Sequence, residues 1–149
     1  MGKYFEDLNL GDRFTTPART VTEADIGAFA GLSGDYNPLH TDEEFAKKKI
    51  FKGRVAHGLL TLAIAEGLRA RLGLLDGTAL ALLEINNLRF TAPVRAGDTI
   101  RLETEVVEKR ETRRADRGVV TFRDAVRNQR DETVMESEVS VMLLRRPLK

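Results

Sequence analysis

The residues of this chain best suited to chemistry lie in 33–40, which read SGDYNPLH. Asp35 stands there with His40, one of only two histidines in the chain. Five positions on a helix correspond to about 500° of rotation, so on a helix the two side chains would point well apart. Pro38 disfavours a continuous helix and biases Asn37 toward an extended backbone. We therefore expect a shaped loop that can aim Asp35 and His40 at one point.

Two interpretations of this stretch are open from residue types and spacing alone. Histidine titrates near neutral pH, and a neighbouring carboxylate can fix its tautomer, so Asp35 and His40 together could activate a water molecule. The other interpretation is turn chemistry, because Asp and Asn side chains commonly bond their own backbone in loops. A lone histidine is, in the same way, more often a surface or capping residue than a catalyst.

Composition removes several classes of function. The 149 residues suit one domain with a single substantial core. The 24 Lys+Arg nearly balance the 23 Asp+Glu, which is not the footprint of a nucleic-acid binder. The absence of cysteine excludes a disulfide framework and a thiolate nucleophile, and two histidines argue against a transition-metal site. No signal peptide and no apolar run of roughly 20 residues is present, so we expect a cytoplasmic protein with no membrane partner.

The elements that must position the pair divide the chain into a helical first half and a strand-rich second half, which predicts an α+β fold. Thr22 and Thr41 begin capping-box-like sequences, TEAD and TDEE, for helices that reach about residues 30 and 48. Residues 59–72 read LLTLAIAEGLRARL and are apolar around most of the helix circumference, which is typical of a buried helix.

The second half has the alternation of half-buried strands. Ile100, Leu102, Thr104 and Val106 alternate with charged residues, and strands are also predicted at 13–21, 79–90, 120–126 and 135–143. Residues 112–118 and 127–132 have the composition of hairpin connections. We expect about five antiparallel strands, in a curved sheet that wraps around the helix at 59–72.

The sequence FAGLSGDYNPLHTDEEFA at 29–46 resembles the signature of the MaoC-like, (R)-specific enoyl-CoA hydratase family, also called hydratase 2. The matching positions are Phe29, Ser33, Gly34, Asp35, Asn37, Pro38, Leu39, His40 and Ala46. A second block, RVAHGLLT at 54–61, is similar to that family as well. The opening YFEDLNLGD at 4–12 and the later FTAPVRAGD at 90–98 extend the resemblance over nearly the whole chain.

The resemblance implies a single hot-dog domain over residues 1–149, with a helix enclosed by an antiparallel sheet. Such domains form homodimers, or assemblies of dimers, whose sheets join edge to edge. The implied activity is that of a hydro-lyase that interconverts trans-2-enoyl-CoA and (3R)-3-hydroxyacyl-CoA. Coenzyme A is then part of the substrate, and neither a cofactor nor a metal is expected.

The resemblance also implies roles for particular residues. Asp35 and His40 would be catalytic, and the backbone N–H of Gly58 would bind the thioester oxyanion at the start of the central helix, where the helix dipole assists. Gly58 lacks a Cβ, so a thioester could approach its backbone closely. Supporting positions are Ser33, Asn37 and His57. Asn37 would hold the loop or orient His40, and the side chain of His57 would position the Gly58 turn or cap the helix.

Two further features have less specific interpretations. Basic residues follow the predicted second helix, and among them Lys52 and Arg54 could contact the phosphates of coenzyme A, although lysines after a helix are also expected from the helix dipole. Glu66 is a carboxylate inside the most apolar helix, where the resemblance implies a smaller polar residue. It could alter the acyl pocket, face solvent, or pair with Arg69 or Arg71.

Three alternatives to the leading function stay open at this stage. The motif also serves dehydration of 3-hydroxyacyl groups on acyl carrier protein. A hot-dog acyl-CoA thioesterase would place its acidic residue on the central helix, which Glu66 would satisfy. A non-catalytic acyl-binding subunit would not need Asp35, His40 and Gly58 together.

Overall fold

A computed structural model describes residues 1–147. Its helices are α1 Glu23–Ser33, α2 Pro38–Thr41, α3 Glu43–Ala46 and α4 Gly58–Arg71. Its strands are β1 Arg13–Thr15, β2 Arg19–Thr20, β3 Ala79–Phe90, β4 Thr99–Glu111, β5 Arg117–Arg127 and β6 Thr133–Leu144. The predicted domain runs to residue 149, and its last two residues lie outside the described range. None of the helices within residues 1–147 has the length and apolar content needed to span a membrane.

The strands form one antiparallel sheet in the order β1-β4-β5-β6-β3, and β2 also pairs with β4. The predicted hairpins connect β4 to β5 and β5 to β6. The strand predicted at 13–21 is divided into β1 and β2, which gives six strands where about five were expected. Pro17 stands between the two pieces and has no N–H to donate to the sheet.

The predicted central helix is present as α4. Its buried residues Leu60, Ile64, Ala65 and Leu68 follow helical spacing and pack into a core with strand residues such as Leu102. The opposite face of α4, at positions 59, 63, 67 and 70, is exposed in the single chain. The helix is therefore buried on one face, whereas its sequence predicted burial around most of its circumference.

The helix predicted from Thr41 to about Lys48 is wrong in its start and its length. Thr41 is the last residue of α2, and its hydroxyl donates to the carbonyl oxygens of Tyr36 and Asn37. Asp42 caps α3 instead, by accepting the N–H of Phe45 at 2.9 Å. Two one-turn helices replace the single predicted one because Thr41 bonds backward to the loop and so cannot cap forward.

A charged cluster lies between α4 and the inner face of the sheet. The Arg69 guanidinium is buried, contacts the Asp124 carboxylate and donates to the Thr104 hydroxyl at 3.1 Å. Glu66 pairs with Arg69 at 3.4 Å, which is one of the three placements expected for it. Burial raises the pKa of the Asp124 carboxyl to about 6, outweighing Arg69 and the Thr104 hydrogen bond, which lower it.

Candidate active site

The loop that carries Asp35 begins where α1 ends. Gly34 has a left-handed φ of 76° and closes α1 by donating its N–H to the Ala30 carbonyl at 2.9 Å. Glycine reaches this φ without steric cost, which explains its place here. Ser33 donates its hydroxyl to the Phe29 carbonyl at 2.7 Å and accepts the Asp35 N–H at 3.1 Å. Ser33 therefore fixes the backbone on which Asp35 stands.

The two oxygens of the Asp35 carboxylate have different surroundings. Oδ1 accepts the Asn37 N–H at 3.1 Å, and Asn37 Oδ1 in turn accepts the Leu39 N–H at 3.0 Å, which caps α2. Pro38 occupies the first turn of α2, where its missing N–H costs nothing. The turn chemistry expected from the sequence is thus present, but it uses only one oxygen. The other, Oδ2, faces His40, and the Asp35 side chain is 50% exposed.

His40 is held so that one ring nitrogen faces Asp35. Its Nδ1 lies 2.7 Å from the Val55 carbonyl oxygen, which can only accept, so Nδ1 carries the hydrogen. In the neutral ring Nε2 then carries the lone pair, and it lies 4.0 Å from Asp35 Oδ2. The His40 side chain is only 14% exposed. The structure thus brings together the two residues that the sequence singled out. Asp35 lies on the expected loop, whereas His40 lies in the one-turn helix α2.

The separation of these two atoms suits a bridging water. At 4.0 Å, Asp35 Oδ2 and His40 Nε2 are too far apart for a direct hydrogen bond. If a water oxygen lay about 2.8 Å from each atom, the angle Oδ2–water–Nε2 would be about 90°, close to the H–O–H angle of water. Such a water could donate one hydrogen to the carboxylate and the other to the imidazole. The arrangement can therefore take a proton from water.

His57 contacts both members of the pair. The residue is 2% exposed, and its ring stacks on that of His40 with 3.8 Å between centroids. Its Nε2 lies 2.9 Å from the Asp35 backbone carbonyl, so Nε2 carries the hydrogen and donates it. His57 is the N-cap residue of α4, but its side chain makes no capping hydrogen bond. Its side chain instead ties the Asp35 loop to the start of α4.

Gly58 is the first residue of α4, so its N–H has no acceptor within the helix. No other part of residues 1–147 supplies one. A Cβ at Gly58 would lie 2.9–3.0 Å from ring atoms of Phe90. The space left by the missing Cβ, through which a thioester was expected to approach, is thus filled by Phe90, and glycine is needed for that contact. A thioester would have to reach the Gly58 N–H from the pocket that Gly58 also lines.

A pocket of about 330 Å³ opens beside His40 and Gly58. Most of its lining is apolar, including Leu39, Phe51, Val55, Phe90, Pro93 and Val134. An apolar pocket with a few convergent polar groups is the usual form of a small-molecule site. The geometry supports an apolar substrate whose reacting atoms lie between the imidazole and the first N–H of α4.

The same side chains have some features of a metal site. Asp35, His40 and His57 each offer one ligand atom within 4.8 Å of the others. The two rings stack with 27° between their planes, so their in-plane lone pairs do not converge on one ion. His57 Nε2 carries the hydrogen that it donates to the Asp35 carbonyl, so only His57 Nδ1, which has no hydrogen-bond partner within residues 1–147, has a lone pair to offer. The geometry favours proton transfer over metal binding.

The two basic residues named as phosphate contacts have different surroundings. The Arg54 guanidinium donates to Glu23 at 2.9 and 3.0 Å and to Glu43 at 2.8 Å, so two carboxylates already neutralise its charge. Its hydrogen bonds hold the pKa of the Glu43 carboxyl below its ordinary value. Lys52 instead lines a separate groove on the surface.

Two contributors to the site carry no recognisable sequence signal. Val55 orients His40 through its backbone carbonyl, which any residue type would supply. Phe90 covers Gly58 from a strand 32 positions later in the chain. The aromatic residue that opens FTAPVRAGD was the only available hint of this second contact.

Comparison with known proteins gives a consistent picture. The MaoC like domain family matches residues 7–128. The chain is 38% identical to the (R)-specific enoyl-CoA hydratase of Rhodospirillum rubrum, over 94% of this chain and 91% of that protein. It is 35% identical to the 3-hydroxybutyryl-CoA dehydratase of Methylorubrum extorquens, with 93% and 82% covered. It is 45% identical to Protein MaoC of Klebsiella aerogenes, but covers only 29% of that longer protein and 67% of its own length.

Solved structures are similar over the whole chain. A monoamine oxidase regulatory protein from Archaeoglobus superposes with a TM-score of 0.92 at 41% identity, covering 98% of this chain and 97% of that one. RV0216 of Mycobacterium tuberculosis, described as a double hotdog fold, superposes with a TM-score of 0.86 at 28% identity. That superposition covers 98% of this chain and 45% of the Mycobacterium chain. The predicted hot-dog fold is confirmed.

Proposed function

The chain belongs to the MaoC-like domain family, and on that premise we propose that it is a hydro-lyase that interconverts trans-2-enoyl-CoA and (3R)-3-hydroxyacyl-CoA. The observation that carries the proposal is the pairing of Asp35 Oδ2 with His40 Nε2 at 4.0 Å, beside an apolar pocket that His40 lines. Relatives named as a hydratase and as a dehydratase are consistent with it, because the two names describe opposite directions of one reaction.

The catalytic step follows from the geometry of the pair. A water bridging Asp35 and His40 loses a proton to the pair while its oxygen forms a bond to C3 of the enoyl group. The C2–C3 double-bond electrons move toward the thioester, and the pair returns a proton to C2. One water is thus added across the double bond, and the pair ends in its starting protonation state. Dehydration is the same path reversed.

The charge that develops on the thioester oxygen requires a donor that is already in place. The N–H of Gly58 is unpaired within residues 1–147 and stands at the positive end of a 14-residue helix. One preorganised oxyanion-hole donor contributes about 10²–10³-fold where it has been removed by mutation. We assign the oxyanion site to this N–H. Phe90, which packs against Gly58, would press on the bound thioester and exclude water from it.

The alternatives receive less support from the site. The thioesterase alternative depends on Glu66, but Glu66 pairs with Arg69 and does not line the pocket beside His40. A non-catalytic subunit would have no need of the loop bonds that hold Asp35 and His40 together. Dehydration on acyl carrier protein uses the same pair and differs only in the carrier.

We also propose that the protein forms a homodimer through β3. This strand lies at the edge of the sheet, and Leu80, Leu82 and Leu83 are 44–55% exposed on it. A long apolar edge strand left open would favour aggregation. The double hotdog fold of the Mycobacterium protein, of which this chain spans 45%, fits two copies side by side. A second copy would also cover the exposed face of α4.

The function is tested with a panel of trans-2-enoyl-CoA esters of increasing chain length. Loss of the enoyl absorbance and chiral analysis of the 3-hydroxyacyl product are followed together. The proposal predicts formation of the 3R product from at least part of the panel. Release of free coenzyme A from every ester, with no hydroxyacyl product, would show a thioesterase instead.

A further inference from the structure

A second concave surface lies beside the catalytic pocket, and we call it the lysine groove. Its volume is about 580 Å³. The apolar part is formed by Leu39, Phe45 and Ile50, and the basic part by Lys48, Lys49 and Lys52. Leu39 also lines the catalytic pocket, so the two concavities meet at this side chain. A molecule lying in both would pass over Leu39.

The lysines of the groove differ from the other basic residues of the same segment. Lys47 pairs with Glu44, and Arg54 pairs with Glu23 and Glu43. Within residues 1–147, by contrast, no carboxylate oxygen lies within 4.0 Å of the ammonium group of Lys48, Lys49 or Lys52. Three unneutralised positive charges around an apolar surface suit a ligand that is both anionic and partly apolar.

The segment that carries these lysines is held by its own backbone. Lys48, Lys49 and Lys52 each donate a backbone N–H to a carbonyl three positions earlier, at 3.0–3.2 Å. Lys52 has a left-handed φ of 59°, which is unfavourable for a residue with a Cβ. The glycine at the next position could have taken this conformation without strain. The chain thus places a lysine, and not a glycine, at the one strained position of the groove.

We propose that the lysine groove binds the 3′-phosphorylated adenosine diphosphate end of coenzyme A, with the pantetheine arm passing over Leu39 toward His40. This inference rests on the proposed function. The Lys49 ammonium lies over one face of the Phe45 ring, 4.7 Å from its centroid, so we assign the adenine to the opposite face of this part-exposed ring and the phosphates to the three lysines. The volume lies within the range of small-molecule sites, whereas a folded carrier protein would leave a concave apolar floor unfilled.

The test compares two thioesters with the same enoyl group. One is the coenzyme A ester, and the other is the pantetheine ester, which lacks the nucleotide. The groove variant combines Lys48→Gln, Lys49→Gln and Lys52→Gln. The matched control removes the same charge elsewhere by combining Lys47→Gln, Arg113→Gln and Arg114→Gln. The quantity measured is the ratio of kcat/KM for the coenzyme A ester to kcat/KM for the pantetheine ester.

We expect this ratio to fall about 10-fold in the groove variant, through KM, and to stay at the wild-type value in the control. Phe45→Leu should lower the ratio with all charges retained. An unchanged ratio in the groove variant would overturn the proposal. So would a groove variant that loses activity only on the ester of acyl carrier protein, because the lysines would then dock a protein.

A binding measurement separates this proposal from the proposed function. If the wild-type protein turns over neither thioester, the hydratase proposal fails, and calorimetry with adenosine 3′,5′-bisphosphate then decides on the groove alone. Binding to the wild type and the control, but weakened in the groove variant, supports the nucleotide site. Equal binding to all three proteins, or none, contradicts it.

Discussion

The side chain of His57 allows the positioning of the catalytic pair to be tested apart from its proton chemistry. His57→Phe keeps a flat ring that can stack on His40 but removes the N–H that donates to the Asp35 carbonyl at 2.9 Å. His57→Gln does the opposite, since its amide can still donate while the ring is lost. Phe29→Leu is the matched control, because Phe29 also packs against His57, with 4.9 Å between ring centroids, but makes no hydrogen bond to it.

The expected magnitude follows from the bond that is lost. Leaving a buried partner unpaired costs about 1–3 kcal/mol, equivalent to about 5- to 150-fold if the whole cost appears in the transition state. The Asp35 residue is exposed, so water can replace part of the lost bond, and the lower half of that range applies. We therefore expect His57→Phe to lower kcat by about 5- to 30-fold. KM should stay close to the wild-type value, and His57→Gln should be the less impaired variant.

The assay is steady-state hydration of a short trans-2-enoyl-CoA over a range of pH, with thermal unfolding as the measure of folding. His57→Phe should lower the pH–rate profile without changing its shape, since Asp35 and His40 are both retained. His40→Ala should lose about 10²–10⁴-fold and should change the shape. A His57→Phe protein with full activity would show that the carbonyl bond is unnecessary. A profile that changes shape in His57→Phe alone would show that His57 itself transfers the proton.

Three other substitutions test separate parts of the molecule. Gly58→Ala should place a methyl group against Phe90 and lower kcat/KM. The loss of stability should be small, about 1 kcal/mol, because the half-exposed Phe90 ring can shift. Gly58→Ala combined with Phe90→Leu should recover activity, and no recovery would refute the steric explanation. Since burial raises the pKa of Asp124 to about 6 from 3.8, the folded state holds this proton more tightly, and Asp124 should add a negative slope to the dependence of stability on pH between these values, visible as the difference between the wild type and Asp124→Asn. Urea unfolding of Asp124→Asn should lack this slope, and an unchanged slope would contradict the assignment. Leu82→Glu should convert a dimer to a monomer in sedimentation at micromolar concentration, and a wild-type protein that sediments only at 16.6 kDa would contradict the homodimer.

The features that the sequence predicted well depend on local periodicity. The spacing of apolar residues in 59–72 identified α4, and alternation around 100–106 identified β4. Gly34 and Pro38 indicated that Asp35 and His40 lie on a shaped segment, because these residues constrain the backbone wherever they stand. The helix boundaries in that segment were predicted less well. The Thr41 hydroxyl can either cap a helix that follows it or donate to carbonyls that precede it, and the sequence does not show which of the two occurs.

The features that the sequence did not reveal depend on contacts between distant parts of the chain. His57 bonds a carbonyl 22 positions earlier, and this requires α4 to be packed beside the Asp35 loop. Exposure of one face of α4 also depends on tertiary structure, because the apolar pattern of a helix does not show which of its faces the sheet covers. The cytoplasmic location and the absence of a metal or cofactor stay predictions.

The central proposal, that the Asp35 carboxylate takes part in the chemistry, is tested most directly by Asp35→Asn. The asparagine keeps an oxygen that can accept the Asn37 N–H, which is the only loop bond that the side chain makes in residues 1–147, so the loop should keep its shape. The measurement is kcat for hydration of a trans-2-enoyl-CoA, with thermal unfolding and sedimentation as controls for fold and assembly. We predict that kcat falls by about 10²–10⁴-fold while unfolding and assembly match the wild type. An Asp35→Asn protein that keeps most of its kcat would contradict the assignment of this carboxylate to catalysis.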